Sequence, residues 1–469
     1  MGLVRVVVLS VMMVPFLAGS AAGQGASALP SQPVQIPKPP DVNDPMLAPM
    51  PAAPRTIANW EEALSFVRAR STDLRISYLE VARAEARTRI ALAGALPVLN
   101  GGVVATHNFI TKDVVQVVGA NGLTPIYNTF TTPTPNFANG SLQLTQPVFN
   151  LQAWDAIGIA KEAEKVSQLS VEDIKRTIAL NVANALVGVV TAERIAELNR
   201  SGFRNALERL DLARRKKGLG AATGLDVVRA QQDVESARAL LVTGDESLRQ
   251  TREALGLALG LPEQVGVARD VNLDGLERSA MATCKVVGTI DQRADVAAAR
   301  QQVEVARRKI ENVYLQFAPT VNAQSGLSTT TINTGSSPNT TWNIQAVLSV
   351  PIFEGGARYG QLRDTRAVRA EAEQSLEALR RIATIQVEQA RRGVSVAGDT
   401  RKVAADAQAL AAEIDRLVRA GYVEGQGTSL ELVIAATALR QANITLALRE
   451  FDLVRARILA ILALATCPW

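Results

Sequence analysis

"RRKKGLGAATGLDVVRAQQDV" (214–234) and "VRAGYVEGQGTSLELVIAATAL" (418–439) write the same signals in the same order. Each ends a helical stretch on a glycine, Gly220 or Gly425. A threonine follows three residues on, Thr223 or Thr428, and then a new apolar run begins. Compared with itself at an offset of about 205 residues, the chain keeps matching. Leu225 pairs with Leu430, and Asp226 with Glu431. Upstream, "IALNVANA" (178–185) pairs with "ATIQVEQA" (383–390), and "LTQPVFN" (144–150) with "LSVPIFE" (348–354). At a larger offset "LPVLNGG" (96–102) matches "APTVNAQ" (318–324). One design is therefore written twice.

Each copy reads as a helix, a β-hairpin, a very long helix, a tight turn and a second helix. The first copy covers 55–260, with its hairpin near 98–148, long helix near 150–217, turn at 218–223 and second helix at 224–259. A connector, 261–290, leads to the second copy, 291–469. There the hairpin lies near 319–351, the long helix near 355–420, the turn at 421–428 and the last helix at 429–465. The first hairpin is longer than the second by about 18 residues. Between Pro147 and Gly220, and between Pro351 and Gly425, no proline intervenes. Helices of roughly 65 to 70 residues would span about 100 Å, far more than a globular domain needs. After each turn, heptad spacing is sustained. Leu432, Leu439, Leu446 and Leu453 have Ala435, Ala442 and Ala456 beside them, interrupted only by Arg449, and Val227, Val234, Leu241, Leu248 and Leu255 have Ala230, Ala237 and Gly244. Large residues alternating with small ones make a coiled-coil seam on which helices approach closely.

The hairpins alternate with a period of two. "TWNIQAVLSVP" (341–351) sets Trp342, Ile344, Ala346, Leu348 and Val350 against Asn343, Gln345, Val347 and Ser349. "GSLQLTQP" (140–147) sets Leu142 and Leu144 against Gln143 and Thr145. Strands of about ten residues, apolar on one face and small-polar on the other, fit a transmembrane β-barrel. Four strands do not close a barrel, and open edges are not tolerated in lipid. Three chains would supply twelve, so the reading requires a symmetric oligomer. The expected fold is a membrane α+β protein: a homotrimeric twelve-stranded β-barrel, four strands per chain, continuous with a long α-helical barrel and built from two tandem repeats.

Composition narrows the function. "MGLVRVVVLSVMMVPFLAGSAAGQG" (1–25) has a basic start, a short apolar run and small residues where a signal peptidase would cut, so 1–23 reads as a secretory leader. No cysteine lies near that point, so the expectation is an exported protein without a lipoprotein anchor. Residues 24–54 hold nine prolines between Pro30 and Pro54. They should run extended, either as a linker or as a strap along a surface. The formal charge of +5 is spread over helical segments without interleaved aromatics, which argues against nucleic acid. One histidine, His107, and two cysteines, Cys284 and Cys467, leave little material for a metal site or a nucleophilic dyad. No cofactor and no enzymatic activity are expected. His107 falls in the first strand and reads as a polar, lumen-facing residue. The segment 111–137 reads as a long surface loop.

Three features together resemble the TolC-like outer-membrane efflux channels: the helix "NWEEALSFVRARSTDLRISYLEVARAEARTRIALAGALPVL" (59–99), the strand-ending "QPVFN" and "VPIFE", and the paired turns. The resemblance covers the chain apart from the proline-rich stretch. It implies a homotrimer in outer-membrane lipid, most of the chain in the periplasm, working with a periplasmic adaptor protein and an inner-membrane efflux pump or exporter. In such channels the two turns are the periplasmic tips of helical hairpins around the tunnel entrance. Gly220, Thr223, Leu225, Gly425, Thr428 and Leu430 are then the tip and adaptor-docking residues, and Tyr422, Asp226 and Glu431 the candidate gate. Ile434 and Gly427 depart from the family pattern, so its gate network does not carry over whole. Each acid also reads as a first-turn helix acid beside the helix dipole, and Tyr422 as an apolar cap on the turn. The resemblance brings the connector and the C-terminus together at the tunnel's equator, which makes Cys284 and Cys467 a candidate disulfide. A non-conducting periplasmic or secreted coiled-coil scaffold is the alternative function.

Overall fold

The computed structural model describes residues 42–134, 136–268, 282–332 and 338–467, together with 275, 278, 279 and 469. The expected leader, the first part of the proline-rich stretch and a third of the connector lie outside these residues. In chain order the elements are β1 (Arg55–Ile57), α1 (Trp60–Arg70), α2 (Thr72–Ala93), β2 (Val98–His107), β3 (Lys112–Asn121), β4 (Thr124–Thr132) and β5 (Asn136–Phe149). There follow α3 (Leu151–Gly218), α4 (Gly224–Ala258), β6 (Val265–Val267), β7 (Lys285–Val286), α5 (Ala294–Leu315), β8 (Thr320–Thr330) and β9 (Thr340–Ser349). The chain closes with α6 (Ala357–Glu424), α7 (Ser429–Leu462) and β10 (Ala465–Thr466).

Each half contains a helix, two strands of the main sheet, a long helix and a shorter helix, in that order. The first half adds β1, a second short helix and the β3–β4 pair. α3 and α6 are each 68 residues long, about 100 Å of helix. Each folds back on the helix after its turn, α4 or α7, and α3 packs against α7 to set the two hairpins side by side. The helix expected ahead of the first hairpin is broken. Ser71 leaves helical geometry, and its side chain accepts from the Leu74 amide at 3.3 Å, so α1 ends and α2 begins there.

Strands β2, β5, β8 and β9 form one antiparallel sheet in the order β2-β5-β8-β9, with β2 and β9 as open edges. Cross-strand neighbours share a face, so the register shows what each face carries. Leu99 opposes Leu144, Gly101 opposes Leu142, Leu142 opposes Leu327, and Leu327 opposes Trp342. The other face pairs Asn100 with Gln143, Ser328 with Thr341, and Gln324 with Gln345. It is knitted by side chains, the Gln345 amide donating to Gln324 at 2.9 Å. His107 lies on the Leu99–Val103 face at the strand's end, not on the polar face as expected. Two-residue alternation from Val103 sets that side, and Nδ1 meets Asn136 Oδ1 at 2.6 Å. The expected loop at 111–137 is instead mostly a second hairpin. β3 and β4 pair with each other around Gly122, whose φ of +69° suits the turn. The two halves also leave the sheet differently. β5 runs into α3 with Asn150 capping the Ala153 amide at 3.0 Å, whereas β9 is followed by an irregular stretch with Gly355 and Gly356 at positive φ.

A dense core sits midway along the helices. Trp60, Leu64 and Val67 of α1 meet Ile178, Val182, Leu186 and Val189 of α3, the end of α4, strand β6, and Phe451, Val454, Ile458 and Leu462 of α7. Cys284 and Cys467 lie in this core, both inaccessible to solvent, and are joined by a disulfide. In α4 the buried stripe is Val234, Leu241, Leu248 and Leu255 with Ala230, Ala237 and Gly244. In α7 the seam expected at Leu439, Leu446 and Leu453 is only half-buried. The buried residues there are Ala447, Phe451, Val454 and Ile458, because α7 divides its apolar surface between α6 and the equatorial core. Residues 42–54 form a strap on the chain's own α3–α4 pair. Leu47 and Met50 pack on it, and Arg252 donates to the Pro51 carbonyl at 2.9 Å and to Glu193 at 2.9 Å.

One apolar stripe is left uncovered. Val396, Val403, Leu410 and Leu417 recur every seven residues along α6, and each is more than half exposed.

Candidate functional site

The two hairpin tips lie together, and their chemistry is set first by helix ends. A helix leaves its last carbonyls and first amides unpaired. At the first tip Gly220 takes φ +72°, and the Ala221 amide returns to the Lys216 carbonyl at 2.8 Å. Thr223 then caps α4 in a capping box. Its hydroxyl takes the Asp226 amide at 3.3 Å, and the Asp226 carboxylate takes the Thr223 amide at 2.9 Å. At the second tip Gly425 takes φ +83°, and the amides of Gln426 and Gly427 return to the Gly421 carbonyl. Thr428 and Glu431 repeat the box at 3.2 and 2.9 Å. Leu225 and Leu430 stand exposed beside the two caps.

Gly425→Ala is expected to cost about 1–2 kcal/mol, the strain of a side chain at left-handed φ, since nothing else crowds that position. Hydrogen exchange at Gln426 and Gly427 should quicken by roughly tenfold. Unchanged exchange would mean that the turn does not depend on this glycine.

Two contacts stitch one tip to the other. The Ser429 hydroxyl of the second hairpin donates to Asp226 of the first. Lys216 of the first donates to the Tyr422 carbonyl of the second, and its ammonium stands 3.9 Å from the Tyr422 ring centroid. The last turn of α3 carries Arg215, Lys216 and Lys217, while the last turn of α6 carries no basic residue. Lys216 therefore supplies the cation that the carboxyl end of α6 lacks. Neither Lys216 nor Ser429 was singled out in the sequence. The one signal that could have found the lysine is this inequality between the two turns.

The electrostatics follow from these contacts. The Ser429 hydrogen bond, with those from the Thr223 amide and hydroxyl, holds the Asp226 carboxyl below its ordinary range. Burial pushes the Tyr422 phenol up, and the Asp226 charge adds to it. Burial lowers Lys216. The Thr428 amide lowers Glu431, which is exposed and turned back on its own cap. Tyr422 is buried at the turn; Asp226 and Tyr422 each make a contact across the hairpins, whereas Glu431 bonds back to its own cap.

A sequence model described as outer membrane efflux protein matches residues 63–261 and 288–464. The chain belongs to that family. The cation efflux system protein CusC of Escherichia coli K12 is 25% identical over 297 residues, 62% of this chain and 61% of CusC. The fusaric acid resistance protein FusA of Burkholderia cepacia is 24% identical over 292 residues, 60% of this chain and 53% of FusA. The matches thus span somewhat over half the length of these curated relatives. A crystal structure of CusC superposes with a TM-score of 0.73 at 20% identity, covering 91% of this chain and 99% of that one. At that identity the likeness speaks for the family's fold alone, but it runs through strands and helices alike.

Proposed function

We propose that this chain is the outer-membrane exit duct of a tripartite export system. Three copies form a twelve-stranded barrel continuous with a helical tunnel through the periplasm, each copy contributing two tandem repeats. The observation that carries this reading is a four-stranded sheet, apolar on one face and polar on the other, with both edges open. Such edges are not stable in lipid until they pair, and edges β2 and β9 of neighbouring copies can pair with each other around a closed ring. The uncovered seam on α6 supports the same closure, since a heptad stripe of that length calls for a facing helix.

In this assembly the hairpin tips ring the tunnel's inner end. Leu225 and Leu430 offer apolar knobs for a periplasmic adaptor protein, on turns framed by Gly220, Thr223, Gly425 and Thr428. Through the adaptor the duct meets an inner-membrane pump or exporter. Asp226 and Tyr422 act in the gate by joining the two hairpins of one subunit, and three Glu431 carboxylates give the entrance its charge. The Cys284–Cys467 bond fastens connector to C-terminus in the oxidising periplasm. The two relatives are named for cations and for fusaric acid, which fits a generic duct whose cargo is chosen by the pump.

The test is single-channel recording of the purified protein in planar bilayers, with Glu431→Ala alongside. Defined conductance steps are expected, with a cation preference that falls in the variant. Folded, membrane-extracted protein without steps, both in the parent and in Asp226→Ala where a shut entrance should open, would overturn the duct. Steps of unaltered selectivity would remove Glu431 from the entrance.

A further inference from the structure

Nearer the equator than the tips, the two hairpins enclose a polar cavity of about 70 Å³. α3 contributes Ser201, Asn205 and Arg209, α6 contributes Asp415 and Arg419, and α7 contributes Arg440 and Asn443. Three guanidinium groups meet two carboxylates here, and Oδ2 of each carboxylate is already engaged. Arg209 donates twice to Asp233, at 3.0 and 2.5 Å. Arg419 donates to Asp415 Oδ2 at 3.4 Å. Arg440 is left over. It crosses α3 at Gly202, where a Cβ would stand only 2.6 Å from its Cδ. It is half-buried and makes no hydrogen bond to the described residues, and burial presses its charge despite the nearby Asp233. A half-buried cation whose nearby carboxylate is already held by Arg209 is costly.

The remaining lining supplies donors. Gln408 donates to Asn443 Oδ1 at 3.0 Å, which turns the Asn443 amide nitrogen into a free donor. Ser201 and Asn205 make no side-chain hydrogen bond to the described residues, and Ser201 lies at the solvent-exposed rim. The one discordant group is Asp415 Oδ1, buried and without a hydrogen-bond donor among the described residues. A water donating one hydrogen to Asp415 and the other to an anion satisfies both, and the cavity has room for the pair.

We propose that this cavity binds a small monovalent anion such as chloride, held by Arg440, Asn443 and Asn205, which bridges the first hairpin to the second. The anion neutralises the surplus guanidinium and gives both hairpins a common ligand, so its binding stabilises their side-by-side packing. The site is independent of the duct reading, because its occupancy is measurable whether or not the protein conducts.

The experiment is to crystallise the full chain with bromide as the halide and measure anomalous scattering. A peak is expected within hydrogen-bond reach of Arg440, lost in Arg440→Gln and retained in Arg440→Lys. No peak in the unaltered protein, or an equal peak in Arg440→Gln, would overturn the site. Should Arg440→Gln fail to fold, Asn443→Leu should weaken the peak instead, and an unaltered peak there would count against the assignment. In solution, chloride should raise the thermal midpoint over gluconate at equal ionic strength, and this difference should vanish in Arg440→Gln. Equal midpoints for the unaltered protein would mean that only water fills the cavity.

Discussion

Replacing Cys284 and Cys467 with serine is expected to destabilise the equatorial core by about 7–11 kcal/mol. The bond closes a stretch of 183 residues. By chain entropy, releasing a loop of that length returns about 5 kcal/mol of freedom to the unfolded chain. Serine adds a second loss. Both sulfurs are inaccessible and packed with Trp60, Leu64 and Leu462, so an unpaired hydroxyl at either place costs about 1–3 kcal/mol more. Urea unfolding followed at the core tryptophan measures the change, and the double alanine variant separates the two terms. An alanine variant as stable as the parent would mean that packing alone holds this core. Burial also predicts that reductant without denaturant leaves the bond intact, seen as unaltered mobility on a non-reducing gel.

The long helices were legible because the chain states them twice. A single leucine repeat is ordinary core, but matching glycines, threonines and acids at one offset register both turns, and the α4 seam is buried where the heptads put it. The sheet was legible from alternation, and its four strands pair in one antiparallel sheet. What was missed has physical causes. The β3–β4 hairpin shows no clean alternation, although Asn121–Gly122 is a hairpin signal in its own right. The α7 seam was displaced because a helix with two neighbours carries two apolar stripes, and sequence spacing alone does not say which one faces the core.

The tip site was half legible. The acids and threonines are local features, and Asp226 and Glu431 sit where a capping box requires them. Lys216 and Ser429 act across hairpins whose facing residues are about 205 positions apart, and no periodicity encodes that lateral register. The same limit applies to Arg440 of α7, whose side chain meets α3 at Gly202.

On the proposed duct reading, Asp226→Ala is the variant expected to act most strongly on the entrance. The carboxylate accepts from the Thr223 amide, the Thr223 hydroxyl and the Ser429 hydroxyl, so it both caps α4 and ties it to the second hairpin. A lost cap costs about 1 kcal/mol, and a hydrogen bond to a charged group about 1.5–3 kcal/mol. If the cross-hairpin bond exists only while the entrance is shut, its loss raises the open-to-shut ratio by about tenfold or more in each subunit. Single-channel recording should show longer and larger openings, and Ser429→Ala, which spares the cap, should reproduce most of the effect. Equal gating in Ser429→Ala would show that the bond does not hold the entrance. The sign of the pH dependence follows from the lowered Asp226 carboxyl. Its stabilisation is complete above the ordinary aspartate value of 3.8 and is lost only as pH falls through the lower folded value. Mild acid should therefore leave this contact closed, and opening by this route should begin only in strong acid. Openings that grow already near neutral pH would belong to another group.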